Sequence, residues 1–406
     1  MWCSSEKNTE IVQWILLTTT AIVAFAGAAV ADGHAGVSFS GDFTLGFNDD
    51  GDIPAGLTTG TGSPATQIGD NHGFYWEGDL NVTGTAALDN GVTAAASWEF
   101  DIVDETNGQA INSDGVLLSL TSDNAGLYLG DTEFAAITQW SAAGDMEADA
   151  FSEADGENVL RGDVSVAGID ASISLALGNA DGALVTDDTD EFYDQMSFGA
   201  SGDLGMFSFA VAYQEETEFG TYFSDFNGDF TDDEIFGISV GAAVAGANIT
   251  VAYASNETAD ENSTGIQVSY PFGPITGTVY YVAEDDGGDE DNYGATVAYA
   301  DGPIAVTLDY DYDQGVNKVG LDGSYDLGNG FTVLAGMYDQ SDDTGFTNGV
   351  SNEGTDYYVA GTYDLGGGAS VLVSYADAET GGAIDDDEVG GPDYQVGTTV
   401  EVSFSF

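Results

Sequence analysis

From Val37 onward the chain repeats one pattern: a run of about ten residues that alternates between apolar and polar side chains, followed by a turn. The first run, GVSFSGDFTLGFN, sets Val37, Phe39, Phe43, Leu45 and Phe47 against Ser38, Ser40, Asp42 and Thr44. The second sets Phe74, Trp76, Leu80 and Val82 against Glu77, Asp79, Asn81 and Thr83; the third sets Val92, Trp98, Phe100 and Ile102 against Thr93, Ser97, Glu99 and Asp101. The rule holds through Ile304, Val306, Leu308 and Tyr310 to the last run, where Val400, Val402, Phe404 and Phe406 oppose Thr399, Glu401, Ser403 and Ser405. Successive strand side chains point to opposite faces, so each run reads as a strand with one oily and one polar face. The 57 glycines, 20 tyrosines and 22 phenylalanines fit such a β-protein, and with only 6 prolines a Pro-rich linker is not expected.

The connections differ in length. Short ones centre on Asp89-Asn90-Gly91, Ser122-Asp123-Asn124, Val166-Ala167-Gly168, Gly202-Asp203-Leu204, Ala245-Gly246, Phe272-Gly273-Pro274, Asp301-Gly302, Leu327-Gly328-Asn329 and Leu365-Gly366-Gly367, with the Gly, Asn and Asp that tight hairpins need. The others are long and acidic, as in AEDDGGDED and AIDDDEVGGPD. Short turns at one end and long loops at the other predict an all-β, transmembrane, up-and-down antiparallel β-barrel with long acidic external loops and short periplasmic turns. A soluble sandwich shares the alternation. The membrane is favoured by the acids on the polar faces, by strand-end tyrosines placed for interfacial girdles (Tyr213, Tyr253, Tyr270, Tyr299, Tyr325, Tyr363, Tyr375), and by the final strand running to Phe406. Closure also removes exposed sheet edges. The hairpin count gives 20 strands; weak runs such as residues 115–121 widen this to an even number from 16 to 20.

Residues 11–31, IVQWILLTTTAIVAFAGAAVA, form an apolar core ending in the small-x-small site Ala29-Val30-Ala31. We read 1–31 as a signal peptide for export through the periplasm and 32–406 as the barrel; a spanning N-terminal helix is the alternative. Cys3, the lone cysteine, falls in the segment expected to be removed.

Charge narrows function further. With 71 acidic residues against 3 basic ones, the chain cannot neutralise phosphates, which excludes nucleic acid as a partner. The histidines His34 and His72 offer no base–nucleophile pair, so no enzyme is expected. No cofactor is required, although acidic loops suit Ca²⁺ or Mg²⁺. Asp225-x-Asn227-x-Asp229 imitates the start of an EF-hand loop but has Phe230 where glycine is needed, leaving it a weak metal candidate.

Four stretches, GVSFSGDFTLGFN, GLYLGD at 126–131, TYDLGGGASVLVSYADAE at 362–379 and the terminal VEVSFSF, resemble the trimeric general-diffusion porins of Gram-negative bacteria, especially those of Rhodobacter-like α-proteobacteria. The resemblance implies 16 strands, a homotrimer in lipid and lipopolysaccharide of the outer membrane, and a third long loop folded into the lumen as the constriction. By position that loop is residues 132–157, with Asp145, Glu147, Asp149, Glu153, Asp155 and Glu157. The family often faces this loop with arginines; here only Arg161 and Lys318 remain beyond the signal segment.

Alternation assigns Asp42, Glu77, Asp79, Glu99, Asp101, Arg161, Asp309, Asp311, Lys318, Asp322 and Glu401 to the lumen wall. Rings of carboxylates favour cations, so the expectation is a passive, cation-preferring pore for small hydrophilic solutes and ions. The alternatives are a substrate-specific outer-membrane channel and a structural or adhesive surface β-protein stabilised by calcium.

Overall fold

A computed structural model describes residues 35–49, 73–103, 111–154, 158–177, 195–217, 230–285, 290–342, 353–378, 388–389 and 394–406. The expected signal peptide, Asp155, Glu157 and the Asp225-Asn227-Asp229 stretch lie outside these residues.

The alternating runs become strands in chain order: β1 (Ala35–Asn48), β2 (Gly73–Ala87), β3 (Thr93–Val103), β4 (Asn112–Ser122), β5 (Ala125–Gly130), β6 (Val159–Val166) and β7 (Ile169–Ala176). Next come β8 (Met196–Leu204), β9 (Phe207–Gln214), β10 (Ile235–Val244), β11 (Ala247–Asn256), β12 (Glu261–Phe272), β13 (Ile275–Glu284) and β14 (Asn292–Asp301). The rest are β15 (Ile304–Asp313), β16 (Val316–Gly328), β17 (Phe331–Asp342), β18 (Gly354–Gly366), β19 (Ala369–Asp377), the two-residue strands β20 (Glu388–Val389) and β21 (Tyr394–Gln395), and β22 (Gly397–Ser405).

Every strand except β20 and β21 joins one antiparallel 20-stranded sheet, and β1 pairs with both β2 and β22, which closes the cylinder. The hairpin count of the sequence holds, and the 16 strands implied by family resemblance are corrected to 20. The weak run at 115–121 is part of β4, paired with β3 and β5. Closure is knitted by reciprocal backbone bonds between Gly41 and Phe406, 3.0 and 2.9 Å, while Phe43 stacks on Phe404 (5.4 Å) and Phe406 (6.2 Å).

The nine short turns lie together at the end of the cylinder where β1 begins and β22 finishes. At the opposite end two connections are also tight, unlike the long loops expected throughout: residues 257–260 join β11 to β12, and Gln314-Gly315 joins β15 to β16. Gln314 and Gly315 have φ of 46° and 88°, the paired positive values of a type I′ hairpin.

The oily side chains form the exposed face: Phe39, Leu45, Trp76, Ile173, Phe198, Ile238, Val251, Ile266, Val297, Leu308, Leu321, Val359, Val373 and Val402. Among the described residues no dry core lies between sheets. The buried side chains belong instead to the inner face and to the chain segments packed on it.

Candidate functional site

Between β5 and β6 the described residues 131–154 run along the inner wall. They carry one short helix, α1 (Ala135–Gln139), and a 3-10 turn at Glu147–Asp149. Helix α1 lies on β7, β8 and β9, and the 3-10 turn on β10, β11 and β12. The backbone N–H groups of Ala135 and Ala136 donate to Ser174 Oγ (2.8 Å) and Ser197 Oγ (2.7 Å), and that of Ala148 donates to Ser263 Oγ (2.9 Å). Ser152 N–H donates to Gln214 Oε1 at 2.8 Å. At the far end, Asn292 Nδ2 on β14 donates to the Asp145 carbonyl (3.2 Å) and to Glu147 Oε1 (3.1 Å). One segment touching consecutive strands from β7 to β14 on their polar side must lie within their curve.

Small wall residues make room for it. A Cβ on Gly265 would sit 2.1 Å from the Ala143 carbonyl oxygen, and one on Gly237 would sit 2.6 Å from the Trp140 ring. Phe134, Ala135, Ala136, Ala143, Met146, Ala148 and Phe151 are buried where the segment meets the wall. Trp140 leans on Phe151, with ring centroids 5.6 Å apart, and its Nε1–H donates to Asp149 Oδ2 at 2.7 Å. Alternation does not mark these glycines, alanines and serines. Their only signal in the sequence is the lack of large side chains on the polar faces of β7 to β12.

The expected wall residues fall into two groups. In the first, Asp42 stands directly opposite Asp79, and Asp79 directly opposite Asp101, making a row of carboxylates across β1, β2 and β3. Glu77 lies opposite Thr44 and Glu401 opposite Gly46 on the neighbouring rungs. Tyr75 Oη donates to Glu401 Oε2 (3.0 Å), and Asn81 Nδ2 to Glu99 Oε1 (3.2 Å). The second group is on β15 and β16. Asp309 faces Gly320, Asp311 faces Lys318, and Asp322 faces Thr307. Tyr280 Oη donates to Asp311 Oδ1 (2.9 Å); Tyr338 and Tyr358 both donate to Asp322, at 2.5 and 2.6 Å.

Both cations of the barrel are bound to acids. Arg161 Nε is 3.1 Å from Asp163, its Nη1 donates to the Glu133 carbonyl at 2.8 Å, and its guanidinium lies 4.9 Å from the Tyr128 ring centroid. Lys318 Nζ is 2.6 Å from Asp313.

The segment's acids are split. Carboxylate oxygens of Asp145 and Glu147 lie within 4.8 Å of one another and of Asp313, so the second wall group extends onto the segment. Burial pushes Glu147 up to about 7; the Asn292 hydrogen bond opposes the shift, and Asp313, Asp145 and Glu284 add to it. Such oxygens suit hard cations, but an acidic cluster alone does not define a metal site. Asp149 is engaged by Trp140. Glu153 lies beside Glu133, whose pKa is raised chiefly by burial while the Ala154 N–H (3.0 Å) opposes the rise.

A closed cylinder with an oily outside, a polar inside and a chain segment along its inner wall defines a transmembrane β-barrel channel. The chain belongs to the Gram-negative porin family, whose model matches residues 18–383. It is therefore an outer-membrane diffusion porin in class. No curated protein matches the chain. Among solved structures it is similar to an engineered mutant of the Rh. blastica porin, at 17% identity and a TM-score of 0.46, covering 71% of this chain and 98% of that one. A triple mutant of the Rhodopseudomonas blastica porin shows 17% identity and a TM-score of 0.37, covering 92% of this chain and 100% of that one.

Proposed function

We propose that the chain forms a passive, water-filled pore that prefers cations and admits small hydrophilic solutes by size, with the segment after β5 as its constriction. One observation carries this most: the row Asp42, Asp79 and Asp101. Like charges directly opposite on paired strands repel, and unpaired carboxylates are not stable in a dry interior. Such a row is tenable where water and mobile cations reach it. The two basic side chains of the barrel add no free positive field, since each is paired with a carboxylate.

Residues 1–31 act as the export signal in this proposal, and resemblance to trimeric porins supports a homotrimer in outer-membrane lipid and lipopolysaccharide. The wall acids Asp42, Glu77, Asp79, Glu99, Asp101, Asp309, Asp311, Asp322 and Glu401 set the field, and Asp145 and Glu147 extend it to the narrowest level.

The test is conductance of the refolded barrel in planar bilayers across a series of salt and sugar concentrations. A current that rises with salt without saturating, together with sugar uptake that falls with sugar size alone, is the expected result. Current blocked by one particular solute at saturating concentration would favour a substrate-specific channel and count against the general pore.

A further inference from the structure

The described residues just before β22 also lie on the inner wall. Between β19 and β22 the chain forms the β20–β21 pair; β20 lies against β18 and β19, and β21 against β19 and β22. Tyr394 is 5% exposed and packs with Tyr358, Ala360 and Ala376, flanked by Leu334, Tyr338 and Leu372. These wall positions alternate with Met337, Val359, Val373 and Tyr375, which are exposed on the outer face, so Tyr394 sits on the inner one. Its ring is 4.7 Å from that of Tyr358. Two residues on, the Val396 carbonyl accepts from Asn48 Nδ2 at 3.0 Å, and the same amide donates to Thr399 Oγ1 at 2.8 Å. The segment is thus tied to the inner wall on the β18–β19 side and at β1.

The first inward segment occupies β7 to β14. Around the ring of 20 strands, β18 stands eight places from β10. The two segments therefore lie on opposite sides of the ring. Period-two geometry turns Gln395 away from the wall that holds Tyr394, and its side chain is half-buried there with the amide oxygen out of solvent. Beside them Asp322 is gripped by two tyrosine hydroxyls, and one of these, Tyr358, is the ring on which Tyr394 rests.

We propose that residues 394–396 form a second aperture-setting element. Tyr394 is its anchor, and Tyr358 is a positioning residue that couples the element to the Asp322 carboxylate. The pore then selects solutes that fit between two opposed segments, not between one loop and a bare wall. This rests on the reading of the lumen as a water-filled pore.

Single-channel recording tests it with three variants. Tyr394→Ala removes the anchor and is expected to raise unit conductance and the size limit for sugars. Tyr394→Phe keeps the ring and is expected to match the native barrel. Gln395→Cys on a Cys3→Ser background, treated with a bulky methanethiosulfonate, is expected to lose conductance in steps as each pore is labelled. If Tyr394→Ala does not fold, the labelling experiment decides alone. Full labelling at Gln395→Cys with conductance unchanged would overturn the inference, as would a folded Tyr394→Ala barrel with native conductance. A native barrel that passes no current would contradict the pore itself, a separate and recognisable failure.

Discussion

At the scale of residues, the interior is a set of carboxylates, several held in place by tyrosine hydroxyls. Alternation assigns acids to a face, because side-chain direction follows directly from parity along a strand. It does not assign their partners. Tyr75, Tyr280, Tyr338 and Tyr358 lie on the same polar faces, and which carboxylate each meets depends on strand register. The salt bridges of Arg161 and Lys318 depend on local geometry that spacing does not reveal.

Glu147 gives the clearest residue-scale prediction. Its carboxyl titrates near 7 in the folded segment, against an ordinary 4.5. Between those values the folded state binds more protons than the unfolded one, so its contribution becomes less favourable as pH rises through that window. The groups facing it are Asp145 on the segment, Glu284 on β13, Asn292 on β14 and Asp313 on β15. Docking of the segment tip should therefore tighten as pH falls from about 7 toward 4.5. Amide exchange at residues 145–148 should slow over this range, and Glu147→Gln should flatten the dependence. Exchange that is insensitive to pH in the native barrel, once corrected for intrinsic rates, would refute it.

At the scale of elements, the strands were legible and the inward segments were less so. Alternation of oily and polar residues has one structural meaning over ten residues, and tight hairpins announce themselves through Gly, Asn and Asp. Gln314-Gly315 carries that chemistry too, yet sits on the long-loop side; the alternating-length rule obscured it. The bed for the first segment was hidden because glycine, alanine and serine on a polar face look like ordinary polar positions. Gly265 exposes what that bed does. Its missing Cβ leaves room for the Ala143 backbone, so Gly265→Val should lift the segment while the barrel still closes. The expected result is altered unit conductance with the heat-dependent gel shift of the barrel retained, and a docking penalty of about 1–3 kcal/mol, the usual cost of overpacking. Native conductance in this variant would show that the segment does not bear on the aperture.

The outer face makes an independent prediction. Val251 is exposed midway along β11. If that face meets lipid, Val251→Arg should destabilise the folded barrel in vesicles by about 2–4 kcal/mol, the cost of a basic side chain near the bilayer midplane. Equilibrium unfolding in urea from vesicles measures it. A penalty below about 0.5 kcal/mol, typical of a water-exposed surface change, would place the oily face elsewhere.

At the scale of the whole molecule, a sequence with 71 acidic and 3 basic residues needs its carboxylates kept in water. Closing the sheet puts carboxylates where water and counter-ions can reach them and puts aliphatic and aromatic side chains where lipid covers them. Among the described residues Arg161 and Lys318 are paired with Asp163 and Asp313, so the proposed cation preference rests on the carboxylates of the wall. The most direct measurement is the zero-current potential of the refolded barrel in a bilayer separating two concentrations of potassium chloride. The dilute side should become positive as potassium crosses faster than chloride, and raising salt on both sides should weaken the effect through screening. A dilute side that turns negative would mean that chloride crosses faster, and the acidic interior described here would not be the path that ions take.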